Sequence, residues 1–371
     1  MRRYRWLALI MAAVLVLGLV LTGCGQKQQA APGGGAGQPA QPSAQGQAQP
    51  ASGKVIELKF NDWGPPGIGI GKLHQQAAKM IEEKTNGQVK VTCYFSESLA
   101  KYPETFKAVT TGITDITLFT VASMAGTLHA NRVLSLVMTG LPDFEKIYLV
   151  YQEMLKNHPE LQQEMEKFGA HWLHLRPMPP NQIHMVKSAV RLPQDVRGKK
   201  IIASGDLGDL INSMHGGAVN VGPGDWYTSL EKGVAEGQFT HWAAVADFKL
   251  DEVMKYHAHV GPGGLGTTAI GFLVNLDTWK SLPPDVQQVL LDVYQWVDDE
   301  SVKYDANLIK EAVEKAKQQG HQVVELSPQE IEAWSKAVQP YIDKWISETE
   351  AKGWPAKKLY DGLQELIKKY Q

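Results

Sequence analysis

The first clear pattern in the chain is an alternation of hydrophobic and polar positions. Ile56, Leu58 and Phe60 alternate with charged residues, which predicts a β-strand that buries one face. The segment 61–67 (NDWGPPG) then ends the strand, because glycine and proline favour turns. The body of the protein is therefore expected to begin with a strand and a loop.

The spacing of apolar residues next changes to that of a helix. Apolar residues recur every three or four positions up to Asn86-Gly87, where a helix is expected to end: Leu73, Ala77, Met80 and Ile81. A second alternating strand covers residues 89–95, followed by a helix at 102–111 and a buried strand at 115–121. Strands that alternate with helices predict parallel pairing with crossover helices.

The same alternation returns in the middle of the chain. It predicts two strands, 200–203 and 218–221, and two helices, 207–214 and 225–234. Beyond an apolar strand at 271–275, one apolar stripe runs from Val286 toward Gln319 and predicts an unusually long helix. We interpret the pattern as an α/β chain with two lobes, braced by that helix.

The N-terminus resembles a bacterial lipoprotein leader. Three arginines precede a short apolar run, Trp6 to Leu21, and the run ends in Leu21-Thr22-Gly23-Cys24. We predict that residues 1–23 are a signal peptide and that Cys24 is lipidated, which would place the protein on the extracytoplasmic face of the cell membrane. An ordinary signal peptide or a single anchor helix is the alternative.

Composition indicates a tether after the leader. Residues 24–53 are almost free of residues that bury apolar area, so we predict that this segment is flexible. Loss of residues 1–23 removes three arginines and no acidic residue, which changes the formal charge from −2 to −5 and argues against a nucleic-acid partner. Lobe I is predicted to comprise 54–179 and 268–300, and lobe II 180–267 and 301–371 with the C-terminal helices.

Sequence motifs of enzymes are missing. The chain has no G-x-S-x-G, H-E-x-x-H or Walker A motif. Residues 261–266 (GPGGLG) match G-x-G-x-x-G by letter, but no strand-to-helix turn is expected there, so a hinge or pocket loop is favoured over a dinucleotide site. The pairs His171/His174 and His257/His259 have no carboxylate at a metal-ligand spacing. We predict no enzyme, no cofactor and no metal.

Three tryptophans are candidate binding residues. Trp63 lies in the loop after the first strand, Trp226 opens a predicted helix, and Trp242 follows a predicted strand. In α/β folds, ligands bind beyond the carboxyl ends of strands, where these residues are expected. Ordinary core packing is the alternative, above all for Trp226 and Trp242.

Four segments, taken together and in order, resemble the substrate-binding proteins of TRAP transporters (tripartite ATP-independent periplasmic transporters). Residues 192–201 (LPQDVRGKKI) resemble that family's P-x-D-[LM]-K-G-[LM]-K-[IL] turn and strand. Residues 224–238 (GDWYTSLEKGVAEGQ) resemble its E-[LVW]-Y-x-A-L-x-x-G-x-x-D-G-Q block.

The other two matches lie on either side of these. Residues 98–99 with 112–115 (GITD) are similar to x-Q-L and G-x-x-D, and residues 274–287 are similar to V-N-x-x-x-[WY]-x-x-L-P-x-x-[LV]-Q. The resemblance implies a two-lobe, periplasmic-binding-protein-like (type II-like) fold with hinge strands and a long lobe-spanning helix. It also implies capture of a small molecule by lobe closure and delivery to the membrane subunits of a TRAP-type secondary transporter.

Departures from the family's pattern affect the expected ligand. The family's carboxylate-gripping arginine after K-[IL] is Ile202 here, and a second arginine aligns with Gln182. The family's G-Q-E-N-P becomes residues 237–241 (GQFTH), so Thr240 replaces an asparagine that helps to hold the carboxylate. The resemblance therefore implies a ligand other than a simple carboxylate.

The expected ligand is a neutral or weakly polar, fairly apolar small molecule enclosed by the tryptophans. The resemblance, with the departures above, gives the expected hydrogen-bonding set: Thr120, Gln182, Thr240 and His241. A relocated charge on Arg176 or Lys187 would instead favour an acid. Asp62 or Asp225 beside the tryptophans would favour an organic cation through cation–π contacts. A receptor for an ABC-type permease or for a sensor shares the expected fold, and a surface-anchored enzyme is the remaining alternative.

Overall fold

The computed structural model describes residues 54–124 and 126–371. The predicted leader, Cys24 and the predicted tether lie outside these residues. Within the described ranges, no helix combines the length and the apolarity that a membrane crossing needs.

Strands and helices alternate along most of the described chain. The strands are β1 Ile56–Asn61, β2 Val89–Tyr94, β3 Ile116–Thr120, β4 Ala170–Pro177, β5 Gln182–Met185, β6 Lys200–Ile202, β7 Gly217–Val219, β8 Gly237–Thr240, β9 Tyr256–His259, β10 Ala269–Asn275 and β11 Gln322–Glu325. The helices are α1 Gly69–Lys84, α2 Thr105–Thr110, α3 Phe144–Asn157, α4 Glu160–Lys167, α5 Gly205–Ser213, α6 Trp226–Glu231, α7 Trp242–Asp247, α8 Leu276–Ser281, α9 Pro284–Gln318, α10 Pro328–Ala351 and α11 Ala356–Tyr370.

The first sheet has the strand order β2-β1-β3-β10-β4. Strand β1 pairs in parallel with β2 and β3, as the strand–helix alternation predicts. Strand β10 instead runs antiparallel to β3 and β4. The reason is topological: β4 leaves this sheet toward the second one and β10 returns from it, so the two run in opposite directions.

The second sheet has the order β11-β9-β5-β8-β6-β7. Strand β6 is parallel to β7 and β8, whereas β5 is antiparallel to both β8 and β9. The carboxyl ends of β6 and β8 therefore lie at the same edge of the sheet. The two sheets form the centres of two lobes, as predicted.

Each lobe has its own hydrophobic core, and helix α9 contributes to both. Val293 and Val297 near its middle are buried with β1 and α1 in lobe I. Ala312 and Ala316, toward its C-terminus, are buried with α7 in lobe II. The helix extends from Pro284 to Gln318 and thus joins the lobes, which agrees with the long apolar stripe in the sequence.

The C-terminal helix packs against the first lobe. The sequence prediction grouped residues 301–371 with lobe II, and Trp334 of α10 does pack there. Helix α11, however, places Leu359, Leu363 and Ile367 in the core that also holds α3. These side chains lie on one helical face, and burying that face against α3 removes it from water.

Candidate ligand-binding site

A cavity of about 650 Å³ lies between the two lobes. Its lobe I wall includes Trp63, Tyr102 and Leu118, and its lobe II wall includes Ile202 and Trp226. Cavities of several hundred Å³ with apolar and aromatic walls are typical of sites for small organic molecules.

The cavity lies where strands end. Thr120, Ile202 and Thr240 are the last residues of β3, β6 and β8, and all three line the cavity. The Oγ1 of Thr120 lies 2.7 Å from the hydroxyl of Tyr102, so that threonine already has a partner in the wall. The site thus follows the rule that α/β folds bind ligands beyond strand ends.

Seven of the ten residues that the sequence singled out for ligand binding or as a relocated charge line this cavity. They are Trp63, Thr120, Arg176, Ile202, Trp226, Thr240 and His241. The structure does not place Gln182, Trp242 or Lys187 in the lining.

Gln182, the first residue of β5, uses its side chain to hold the loop that begins at Val260. Its Oε1 accepts a hydrogen bond from the Val260 amide at 2.7 Å, and its amide group donates to the Gly261 carbonyl at 3.4 Å. The adjacent residue Asn181 lines the cavity instead. Gly264 of this loop has φ +58°, and a Cβ there would lie 2.2 Å from the Asn181 carbonyl oxygen, so the position requires glycine.

Trp242 and Lys187 lie elsewhere in lobe II. The Nε1 of Trp242 donates to Nε2 of His259 at 2.6 Å, and its ring centroid is 4.6 Å from that of His257. Lys187 follows β5 and is exposed. Trp242 is therefore a packing residue that contacts histidines of lobe II, and it does not line the ligand cavity.

His241 supplies a neutral hydrogen-bond donor. Its Nδ1 accepts a bond from the Ala244 amide at 3.1 Å, because His241 caps the N-terminus of α7. Burial, with a smaller effect of Arg176, lowers the pKa of His241 to about 4. The neutral ring therefore carries its proton on Nε2.

Arg176 brings a positive charge to the cavity, but that charge is already paired. Its Nη1 donates to Oδ2 of Asp305 at 3.1 Å, and its Nε lies 3.5 Å from Oδ1 of Asp298. The second oxygen of Asp298 lies 2.7 Å from Nδ1 of His174. Acidic residues on a helix usually lie on a solvated face, but Asp298 is fully buried between His174 and Arg176.

The two carboxylates proposed for an organic cation are differently placed. Asp62 lines the cavity, but its Oδ2 lies 2.6 Å from Nδ1 of His74 and its Oδ1 accepts from the Gly64 amide at 2.7 Å. Asp225 is exposed and is not part of the lining. Trp63 contacts Tyr102 edge to face at 5.3 Å between ring centroids, and its buried Nε1 has no hydrogen-bond partner in the described part of the protein.

Several lining residues gave no sequence signal. Tyr102 opens a short 3-10 helix, Met178 directly follows β4, and Asp247 and Asp305 lie within helices. A sequence clue was available for Asp305 alone, because it lies on the long helix that was predicted to brace both lobes. In the described residues, no cluster of histidine, cysteine and acidic side chains suits a metal ion.

A family model decides the class of protein. The model for bacterial extracellular solute-binding protein, family 7 (DctP), matches residues 65–349. The chain belongs to this family. Its members bind solutes and are not enzymes, which confirms both the resemblance found in the sequence and the prediction that the chain is not an enzyme.

Individual relatives agree with this assignment. A solute-binding protein of Chromohalobacter salexigens is 23% identical over 290 residues, which cover 76% of this chain and 83% of that protein. A TRAP periplasmic solute-binding protein of the same species, with bound D-glucuronate, has a TM-score of 0.74 at 20% identity, covering 83% of this chain and 99% of its own.

A third relative binds an aromatic acid. The TRAP solute-binding protein of Rhodoferax ferrireducens, in complex with copurified benzoate, has a TM-score of 0.74 at 17% identity over 85% of this chain and 98% of its own. Both structural likenesses show the fold, and they confirm the predicted two-lobe α/β architecture.

Proposed function

We propose that this family 7 protein is a lipid-anchored, extracytoplasmic solute receptor that delivers a small organic molecule to a TRAP-type secondary transporter. Family membership supports the role as a receptor, and the TRAP proteins with the same fold support the choice of transporter. The leader-like N-terminus with Cys24 supports the lipid anchor. A receptor for an ABC-type permease or a sensor remains the alternative partner.

We further propose that the ligand is uncharged and largely apolar. The relatives above hold D-glucuronate and benzoate, both acids. In this chain the strand end that faces the ligand carries Ile202, and the one guanidinium among the described lining residues, Arg176, is paired with buried carboxylates. Burying a ligand carboxylate without a free cation costs several kcal/mol, roughly the free energy of micromolar binding.

The walls supply the remaining contacts. Trp63, Tyr102 and Trp226 offer aromatic surface, and His241 and the Trp63 indole offer neutral donors to a hydroxyl or carbonyl oxygen. A ligand with an aromatic or alicyclic body and one or two oxygen atoms matches this set of contacts.

Contacts between the lobes support capture by closure. Arg132 forms an ion pair with Asp206 of α5 at 2.6 Å, and a Cβ on Gly205 would lie 3.1 Å from the Ala122 carbonyl oxygen. Asp206, Gly205 and Ala122 all line the cavity. These contacts would hold the two walls together once a ligand fills the space between them.

A thermal-shift panel tests the ligand class. We expect a neutral aromatic alcohol or terpenoid alcohol to raise the melting temperature, and phenylethylamine, benzoate, glucuronate and succinate to have little effect at pH 7.5.

Trp226→Ala should weaken binding of the best compound about 10–100-fold, since roughly 1.5–3 kcal/mol of aromatic contact is lost. Trp279→Ala, which removes a tryptophan stacked on His171 outside the lining, is the matched control and should bind normally.

Stabilisation by the acids alone would contradict the proposed ligand class, and stabilisation by the amine alone would favour an organic cation. Mass spectrometry of compounds that copurify with the protein provides an independent check of the same point.

Cys24→Ala tests the anchor. The thiol is the predicted acceptor of diacylglycerol, so the variant should lose incorporation of labelled fatty acid and move from the detergent phase to the aqueous phase on partitioning, or remain unprocessed. Cys93→Ala is the matched control, because it removes the other cysteine of the chain, and its lipid labelling should be unchanged. Normal labelling of Cys24→Ala would disprove lipidation at this residue.

A further inference from the structure

Arg176 is a buried guanidinium in the wall of the ligand cavity. It lies on β4, opposite Ile270 of β10, and is 5% exposed. Among the described residues that line the cavity it carries the only permanent positive charge. An acidic ligand entering this cavity would therefore have to use Arg176.

Two carboxylates of the protein already occupy this guanidinium. Asp305 lies 3.1 Å from Nη1 and Asp298 lies 3.5 Å from Nε, and the side chains of these two residues are 8% and 0% exposed. The Pro177 carbonyl also accepts from Nη1, at 3.2 Å. Asp305 and Arg176 both line the cavity, so the guanidinium that a ligand would meet is already paired at the cavity wall.

The charges around Arg176 oppose a further anion. Two carboxylates face one guanidinium, and a third, Asp247 of α7, lines the same cavity and interacts with Asp305. A ligand carboxylate beside Arg176 would meet the like charges of carboxylates that are themselves buried, where such repulsion is stronger than in water. An uncharged ligand meets no such repulsion.

We propose that Asp305 is a specificity-determining residue, which excludes carboxylate ligands by occupying the guanidinium of Arg176. The inference rests on the proposed function of the cavity as a solute site. It also predicts that neutralising this one carboxylate turns the protein into a receptor for acids.

The protonation of Asp305 gives a second test of the same idea. Burial, with Asp247 and against the opposing effect of Arg176, raises the pKa of Asp305 to about 6. The charged and titratable groups around it are Arg176 from β4, Asp247 from α7 and Tyr304 of its own helix, and Asp298 of that helix shares the Arg176 guanidinium with it. Below pH 6 the neutral side chain should release Arg176 for a ligand carboxylate.

Benzoate is the probe, measured by isothermal titration at pH 7.5. Asp305→Asn should bind it at least 10-fold more tightly than the unsubstituted protein, and adding Arg176→Gln should abolish the gain. Asp209→Asn is the matched control: it removes an equal charge from the lining, at a residue whose carboxylate is 3.9 Å from Arg132, and should give no gain. Circular dichroism is used to check that each variant is folded.

The pH series uses the unsubstituted protein and so does not depend on the variant folding. Its benzoate affinity should rise about 10-fold between pH 7.5 and pH 5.5, and Asp305→Asn should lack that rise. Absence of a rise in the unsubstituted protein overturns the proposal, as does a folded Asp305→Asn with no gain or an equal gain in Asp209→Asn.

Failure of this inference is distinguishable from failure of the proposed ligand class. If an uncharged ligand is found but Asp305→Asn gains no benzoate binding, only the role of Asp305 is overturned. If the unsubstituted protein binds benzoate tightly at pH 7.5 through Arg176, both are overturned.

Discussion

Arg176→Met should lower the free energy of unfolding by about 3–5 kcal/mol at pH 7.5, because it leaves buried carboxylates without their cation. Asp298 is fully buried and Asp305 is 6% exposed, and the guanidinium lies within 3.5 Å of both. Methionine fills a similar volume, so the loss reports charge and not a cavity. Urea denaturation measures it.

Two further variants show whether the charges are responsible. Arg197→Met also replaces an arginine with methionine, but at an exposed position, and it should lower the free energy of unfolding by less than about 0.5 kcal/mol. Arg176→Met combined with Asp298→Asn and Asp305→Asn should recover most of the stability, since the unpaired charges are then absent. A loss below about 1 kcal/mol in the single variant would show that water or protonation compensates the two carboxylates.

The features that were best predicted are strands and helices, because they depend on residues that are close together along the chain. The alternation around Leu58 and Phe60, and the helical spacing around Ile81, correspond to β1 and α1, whose side chains pack in one core. Trp63, Ile202 and Trp226 were placed at the site because strand ends and the loops after them converge on the ligand in this kind of fold.

Side-chain direction was harder to predict than position along the chain. Asn181 and Gln182 are adjacent, yet the first lines the cavity and the second binds the loop at Gly261. Successive side chains of an extended segment point to opposite sides, so an error of one residue exchanges the two roles. Trp242 shows the same limit, since its indole packs on His257 and not in the cavity.

Long-range pairing was not predictable from a single sequence. Arg176 and Asp305 are 129 residues apart, and no local pattern links a strand residue to a residue in the middle of α9. Asp298 is a further example, because acidic residues on a helix are usually solvated and only the packing of β4 against α9 buries this one. These contacts decide the charge of the cavity.

A chain of three histidines in lobe II provides the second large prediction. Nδ1 of His184 lies 2.8 Å from Nδ1 of His257, and Nε2 of His257 lies 3.1 Å from Nδ1 of His321. Nε2 of His321, at the outer end of the chain, lies 3.0 Å from the ammonium nitrogen of Lys255. An ammonium only donates hydrogen bonds, so His321 and His257 each accept from the outer neighbour and donate to the inner one, and His184 at the inner end accepts at Nδ1.

This arrangement requires neutral rings. Burial lowers the pKa of His257 to about 3, helped by His321, and burial and His257 lower the pKa of His184 well below its usual value. Unfolded histidine titrates near pH 6.5, so the unfolded chain binds protons that the folded chain excludes as the pH falls below that value. Stability is therefore fully present above pH 6.5 and is lost progressively toward pH 3.

The double variant His184→Phe, His257→Phe should make the protein markedly less sensitive to acid. Both partners of a buried hydrogen bond become apolar rings of similar size, so the variant should remain folded at pH 7.5. Between pH 7.5 and pH 4.5 it should lose about 3 kcal/mol less stability than the unsubstituted protein, measured by urea denaturation, since His257 alone accounts for roughly two pKa units in that range. His241 and the buried carboxylates titrate in both proteins and cancel in the difference.

His215→Asn, at an exposed histidine with φ +61°, is the control and should keep the original pH dependence. Identical pH profiles for the double variant and the unsubstituted protein would mean that the histidine chain accepts a proton in the folded state and does not limit stability in acid.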